Sequence, residues 1–276
     1  MQQGTMSIIT ADKLSPATPE GRGREAVATA PQPAPSPLPP CLVAPVSGWY
    51  LVGKQTLDFT LALLLLVVTA PVMLLAMLLV KLTSRGPALY TQTRVGKNGR
   101  PFVIYKLRTM VNKCESLTGA CWATPNDPRI TLLGRILRKT HIDELPQLWN
   151  VLKGDMSLIG PRPERPEFVP RLEQAIGHYR SRLLMKPGVT GLAQVQLPPD
   201  TDLTSVRLKL AYDLYYVQHA TLWLDVRLLA ATACKMAALP FRVLRAMFRF
   251  PRQDAVEQEY KKLTPTPAVA GHASRV

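Results

Sequence analysis

Residues 59–80 read FTLALLLLVVTAPVMLLAMLLV, 22 consecutive positions without a charged side chain. As a helix rising about 1.5 Å per residue, this run matches the roughly 30 Å hydrocarbon core of a bilayer and marks a membrane segment. Pro71 lies near its middle. A proline there lacks the N–H of the helix ladder and its ring collides with the preceding turn, costing about 3 kcal/mol unless neighbours compensate. Two arrangements satisfy this: a kinked helix that crosses the bilayer, or a re-entrant hairpin that enters and leaves by one face. Cations lie on both flanks, Lys54 before and Lys81, Arg85, Arg94, Lys97 and Arg100 after. A crossing helix usually keeps its basic flank on one side, so the pattern favours the hairpin. Residues 54–82 are therefore expected to form a re-entrant membrane helix broken at Pro71.

Upstream, residues 1–48 carry nine prolines and few large apolar side chains. This composition predicts a disordered, Pro-rich tail, and it lacks the basic-then-apolar pattern of a secretory signal. The chain of 276 residues has a formal net charge of +15. The tail holds three acidic and three basic residues, so the whole excess lies after it. Such a charge points to anionic partners: nucleic acid, phosphorylated substrates or anionic lipid. Cys41, Cys114, Cys121 and Cys234 show no C-x-x-C pair and no zinc spacing, and read as free thiols of a reducing compartment.

Downstream, the pattern predicts a mainly α domain with a small β-hairpin over 83–240. The hairpin turns at Asn98-Gly99, ahead of the β-prone run Phe102-Val103-Ile104-Tyr105. Helical spacing recurs over 130–139, 144–153, 165–186 and 203–219, with Pro/Gly-rich loops at 160–163 and 186–191. Residues 221–250 are apolar but too often charged to cross a membrane. Arg242, Arg245 and Arg249, interleaved with Val243, Leu244, Met247 and Phe248, suit an amphipathic helix on an anionic membrane surface or a solvated helix packed on the domain. Residues 241–276 are expected to be a basic amphipathic segment ending in a flexible tail.

The densest chemical signal is DELPQLWNVLKGDMSLIGPRP, residues 143–163. On a helix, Asp143, Gln147 and Asn150 share one face, and Leu145, Leu148 and Leu152 share another. The leucines would bury the helix and the polar set would face a cleft. Pro146 is tolerated only in a first turn, so the helix is expected to begin near Asp143. Asp143 then has two roles open to it: helix N-cap, with Glu144 as a first-turn acid, or one half of a carboxylate pair. The second gains from Lys106, Arg108, Arg138 and Arg162, which must converge in one compact domain. Two acids beside several cations suit phosphoryl transfer, one acid attacking phosphorus, the other holding Mg²⁺, and the cations neutralising phosphates.

That block, with YKLRTM upstream and KPGVTGLAQV and AYDLYYVQH…WLD downstream, resembles the bacterial sugar transferase family of monotopic phosphoglycosyl transferases, over about residues 54–235. The chain is similar to its small class. The resemblance implies an enzyme on the cytoplasmic face of the bacterial inner membrane that moves a sugar-1-phosphate from a UDP-sugar to a polyprenyl (undecaprenyl) phosphate, initiating exopolysaccharide or another glycoconjugate. It implies that Asp143 attacks the β-phosphate, expels UMP and holds an aspartyl-phosphosugar, and that Glu144 is a Mg²⁺ ligand. Arg138 and Arg162 match phosphate-binding positions, Pro71 matches the break in the re-entrant helix, and Lys106 and Arg108 match a supporting basic motif. Where many relatives follow Gly-x-Ala-Gln-Val with Asn-Gly-Arg, this chain has Gln196-Leu197-Pro198-Pro199-Asp200. That arginine is missing, which leaves the donor sugar open. His141 reads as structural rather than as a base, since nothing in the family requires one. Two other readings compete: a membrane-tethered basic protein that binds anionic polymer or lipid without catalysis, which leaves the dyad unexplained, and a nucleic-acid binder, for which no binding motif is present. Nucleic acid is not expected as a partner.

Overall fold

The computed structural model describes residues 48–112, 114, 127–198, 202–237 and 239–263. The Pro-rich tail over residues 1–47 and the end of the chain from 264 lie outside these. The apolar run lies within one long helix, α1 (Trp49–Thr83), which carries Pro71 in its interior. It is long and apolar enough to cross a membrane. Two stretches of α1 dock on the rest of the protein. In the first, Lys54, Asp58 and Ala62 are buried, and in the second, Ala76 and Val80. Between them Leu63, Leu64, Val67, Val68, Val72, Leu74 and Leu75 are exposed, an apolar surface that water does not favour.

Asn98 and Gly99 both adopt positive φ (56° and 78°), the left-handed conformation that a tight turn demands. They close β1 (Leu89–Val95) onto antiparallel β2 (Pro101–Leu107), as the sequence predicts. After β2 the chain reaches α2 (Leu132–Lys139), whose N-cap Thr131 accepts a hydrogen bond from Gly134 N–H at 2.9 Å. The helix expected from Asp143 starts later. Ile142–Glu144 form one turn of 3-10 helix, and α3 (Gln147–Leu152) begins after Pro146. Pro146, with no N–H to offer, stands at the helix entry where none is needed.

The run 186–191, expected to be loop, contains a strand. β3 (Ser157–Ile159) and β4 (Gly188–Thr190) pair in parallel. A Cβ at Gly188 would stand 2.1 Å from the nitrogen of Gly160, so only glycine lets the two backbones meet there. Helices α4 (Val169–Ala175), α5 (Leu192–Gln196), α6 (Leu203–His219) and α7 (Leu222–Met236) complete the body. A reciprocal Asp202–Ser205 cap opens α6, and Thr221 caps α7. Residues 241–263 are no loose appendage. They form α8 (Phe241–Met247) and α9 (Gln253–Leu263), whose Leu244, Val256 and Tyr260 join the main apolar core with Leu210, Tyr212, Val217 and Leu228. In α8, Leu244 packs into the domain while Val243 and Met247 stay exposed. Helix α9 was not anticipated, because its apolar positions are few and widely spaced.

Candidate active site

The site is assembled from four pieces of chain. The 3-10 turn carrying Asp143 and Glu144 follows His141, whose φ of 56° turns the chain sharply out of α2. Lys106 comes from the end of β2, Arg138 from the last turn of α2, and Arg162 from the loop after β3. Glu144 Oε1 accepts hydrogen bonds from Lys106 Nζ at 2.7 Å and from the Arg162 guanidinium at 2.5 Å. Arg138 donates from Nε to Thr109 Oγ1 at 2.8 Å, and its charge reaches Asp143. Asp143 is buried, with 7% of its surface exposed. Its carboxylate caps no helix, because His141 opens the 3-10 turn and Pro146 opens α3 without any side-chain cap. The N-cap reading of Asp143 therefore gives way to a carboxylate among cations that accepts no hydrogen bond among the described residues.

Electrostatics separate the two acids. Burial, aided by the charge of Glu144, pushes the Asp143 carboxyl up to about 6, although Lys106, Arg138 and Arg162 pull the other way. Burial would raise Glu144 as well, but Arg162 and Lys106 outweigh it and hold that carboxyl well below the usual range. Two neighbouring carboxylates with opposed shifts take different roles. Glu144 is an anion committed to cations. The Asp143 carboxyl, pushed up to about 6, accepts no hydrogen bond among the described residues.

The remaining expected site residues divide. Asn150 does not open onto a cleft. It is fully buried, its Oδ1 accepts from Tyr105 N–H at 3.1 Å, and its Nδ2 donates to Val103 C=O at 2.7 Å. It thus satisfies the outer edge of β2 and fixes the strand that carries Lys106. Gln147 is also buried, and its Nε2 has no hydrogen-bond partner among the described residues. Arg108 points elsewhere than the dyad: its guanidinium donates to Ser84 O at 2.8 Å and to Ser84 Oγ at 2.7 Å, just past the end of α1. Pro71 lies in the exposed middle of α1.

The sequence reading missed a second layer. Arg182 donates to the backbone carbonyl of Arg162 at 2.8 Å and to Tyr179 Oη at 2.9 Å, and it is paired with Asp213 at 2.7 Å. This buried pair sets the backbone from which Arg162 reaches Glu144. No local signal joins Arg182 to Asp213, since they belong to different elements. Among the described residues no group of three or more metal-ligating side chains exists. The dyad still fits Mg²⁺ in its common form, bound by one or two carboxylates with phosphate oxygens and water supplying the rest.

A family model described as bacterial sugar transferase matches residues 49–238. The chain is 44% identical over 179 residues to a UDP-N-acetylgalactosamine-undecaprenyl-phosphate N-acetylgalactosaminephosphotransferase of Aeromonas hydrophila, covering 65% of this chain and 42% of that protein. It is 46% identical over 181 residues to a UDP-glucose:undecaprenyl-phosphate glucose-1-phosphate transferase of Caulobacter vibrioides, covering 65% and 67%. It is 42% identical over 187 residues to the exopolysaccharide production protein PSS of Rhizobium leguminosarum bv. phaseoli, covering 66% and 94%. The chain thus spans about two fifths of the length of the Aeromonas protein and nearly all of the Rhizobium one. Since the family span takes in α1, the acidic dyad and every cation around it, the chain belongs to the bacterial sugar transferase family.

Proposed function

We propose that this protein is a membrane-bound phosphoglycosyl transferase that moves a sugar-1-phosphate from a UDP-sugar to undecaprenyl phosphate through an aspartyl-phosphosugar. The observation that carries the reading is Asp143: a buried carboxylate with no hydrogen bond among the described residues, beside a glutamate held by Lys106 and Arg162. The names of the relatives, which act on UDP-sugars and undecaprenyl phosphate, support the substrate classes.

An Asp143 oxygen attacks the β-phosphorus of the donor. The bond to the bridging oxygen breaks, UMP leaves with that oxygen, and the phosphosugar stays on Asp143. An oxygen of polyprenyl phosphate then attacks the same phosphorus, freeing Asp143 and forming a polyprenyl diphosphosugar. Arg162 and Lys106 neutralise charge gathering on the phosphoryl oxygens, and Arg138 faces Asp143 from α2. Glu144 would hold Mg²⁺, which would supply further neutralisation of the diphosphate.

The same reading takes α1 as a re-entrant hairpin at the cytoplasmic face of the inner membrane. Its first stretch is pinned by Lys54 to Asp225 at 3.1 Å and by Asp58, which accepts from Leu158 N–H at 3.1 Å. Its second stretch packs Ala76 and Val80 with Leu107 and Leu137. Both ends thus rest on one folded body, which supports entry and exit on one side. Solubilised protein given Mg²⁺, undecaprenyl phosphate and a panel of UDP-sugars should release UMP and form lipid-linked product. No release across the panel would overturn the assignment.

A further inference from the structure

One more cation is carried to this site by an element that the sequence reading did not implicate. Lys235 lies in the last turn of α7. Three residues earlier, Thr232 Oγ1 lies 3.0 Å from Thr190 Oγ1 at the end of β4, and β4 pairs with the strand that leads directly into Gly160-Pro161-Arg162. The end of α7 is therefore tied to the strand pair that launches Arg162. Lys235 Nζ donates to Gln194 C=O at 2.5 Å and lies 5.4 Å from the centre of the Phe241 ring. These contacts hold it half-buried, within electrostatic reach of Arg162, Glu144 and Lys209, and His141 feels its charge in turn.

Lys235 makes no ion pair among the described residues, and Glu144 is already engaged by two other cations. Burial first, and then the charge of Arg162, lower its pKa. Holding a half-buried ammonium against a neighbouring guanidinium is unfavourable in the free protein and is relieved by an anion placed between them. The chain after Gln194 has no basic residue before Arg207, so α5 and the segment that follows it bring no cation of their own here. We propose that Lys235 is a donor-binding residue whose ammonium takes a phosphate oxygen of the nucleoside diphosphate, across the site from Arg162. This rests on the donor class given under Proposed function.

The competing role is structural, with Lys235 only capping the Gln194 carbonyl in α5. Full-length wild type, Lys235→Met and Lys235→Arg should be titrated with UDP in the presence of Mg²⁺ by calorimetry, with the Tm of each and the KM for undecaprenyl phosphate measured alongside. Lys235→Met should weaken UDP binding about tenfold, the loss expected for one charge-assisted hydrogen bond, and Lys235→Arg should recover most of it. The acceptor KM should stay within about twofold and Tm within about 2 °C. Equal UDP affinity in Lys235→Met and wild type overturns the proposal. So does a loss that arginine fails to recover and that comes with a lowered Tm. Wild type that binds UDP but releases no UMP from any UDP-sugar would defeat the proposed reaction while leaving this binding role standing, and wild type that binds no UDP would defeat both.

Discussion

Glu144 gives its charge to Lys106 and Arg162, while Asp143, one residue earlier, is buried with no hydrogen-bond partner among the described residues. The adjacency was legible in the sequence, as were the cations at 106, 138 and 162. The resemblance assigned attack to Asp143 and Mg²⁺ to Glu144, but which carboxylate the cations pair with was not legible, because that depends on the fold. The direction of Arg108 was not legible for a similar reason: its guanidinium is held by Ser84 at the end of α1, 24 residues away. Asp143→Asn keeps shape and removes the attacking anion, so turnover should fall by at least about a thousandfold, roughly 4 kcal/mol in the barrier. Had Asp143 been an N-cap, asparagine would serve as well and the rate would barely change. Because Asp143 must be ionised to attack, kcat/KM for UMP release should rise with pH through about 6 in wild type. Its raised carboxyl also has a stability signature. Wild type should lose stability relative to Asp143→Asn as pH climbs from about 4, the unfolded value, to about 6, and a Tm series across that window checks it.

At the scale of elements, strong local chemistry was readable and long-range pairing was not. Asn98-Gly99 announced the hairpin because positive φ at two successive positions is a local demand. The pairing of β3 with β4 joins three-residue strands about thirty positions apart, and nothing in Lys186-Pro187-Gly188-Val189-Thr190-Gly191 distinguishes a strand from a loop until Gly188 meets Gly160. Asn150 shows the same limit. Its place on the helix face was foreseen, but its use in holding β2 required knowing that the strand lies beside α3. Asn150→Ala strips the partners from Tyr105 N–H and Val103 C=O, so it should cost about 2–4 kcal/mol, seen as a lowered Tm. It should also reduce kcat/KM, because the strand it fixes carries Lys106. An unchanged Tm would show that β2 does not depend on this clamp.

For the molecule as a whole, the apolar run and the dyad block pointed to the family whose model matches residues 49–238. The docking of α1 was beyond reach, since Lys54, Asp58 and Asp225 read in isolation as ordinary charges, and only the fold buries them together. Both docked stretches of α1 lie on the same body, so cysteines placed singly at Val52 and Leu82, both exposed, should be labelled from the same side of the membrane. Labelling from opposite sides would contradict the hairpin. Replacing Pro71 with leucine removes the residue that weakens the middle of α1 and should shift part of the population toward opposite-side labelling. The central claim is that Asp143 becomes covalently loaded. Wild type mixed with Mg²⁺ and its UDP-sugar, without undecaprenyl phosphate, should release UMP in a burst no larger than the enzyme concentration, and mass spectrometry of its peptides should find one added phosphosugar on Asp143. A label on another residue, or stoichiometric turnover to product with no label on any residue, would contradict the account.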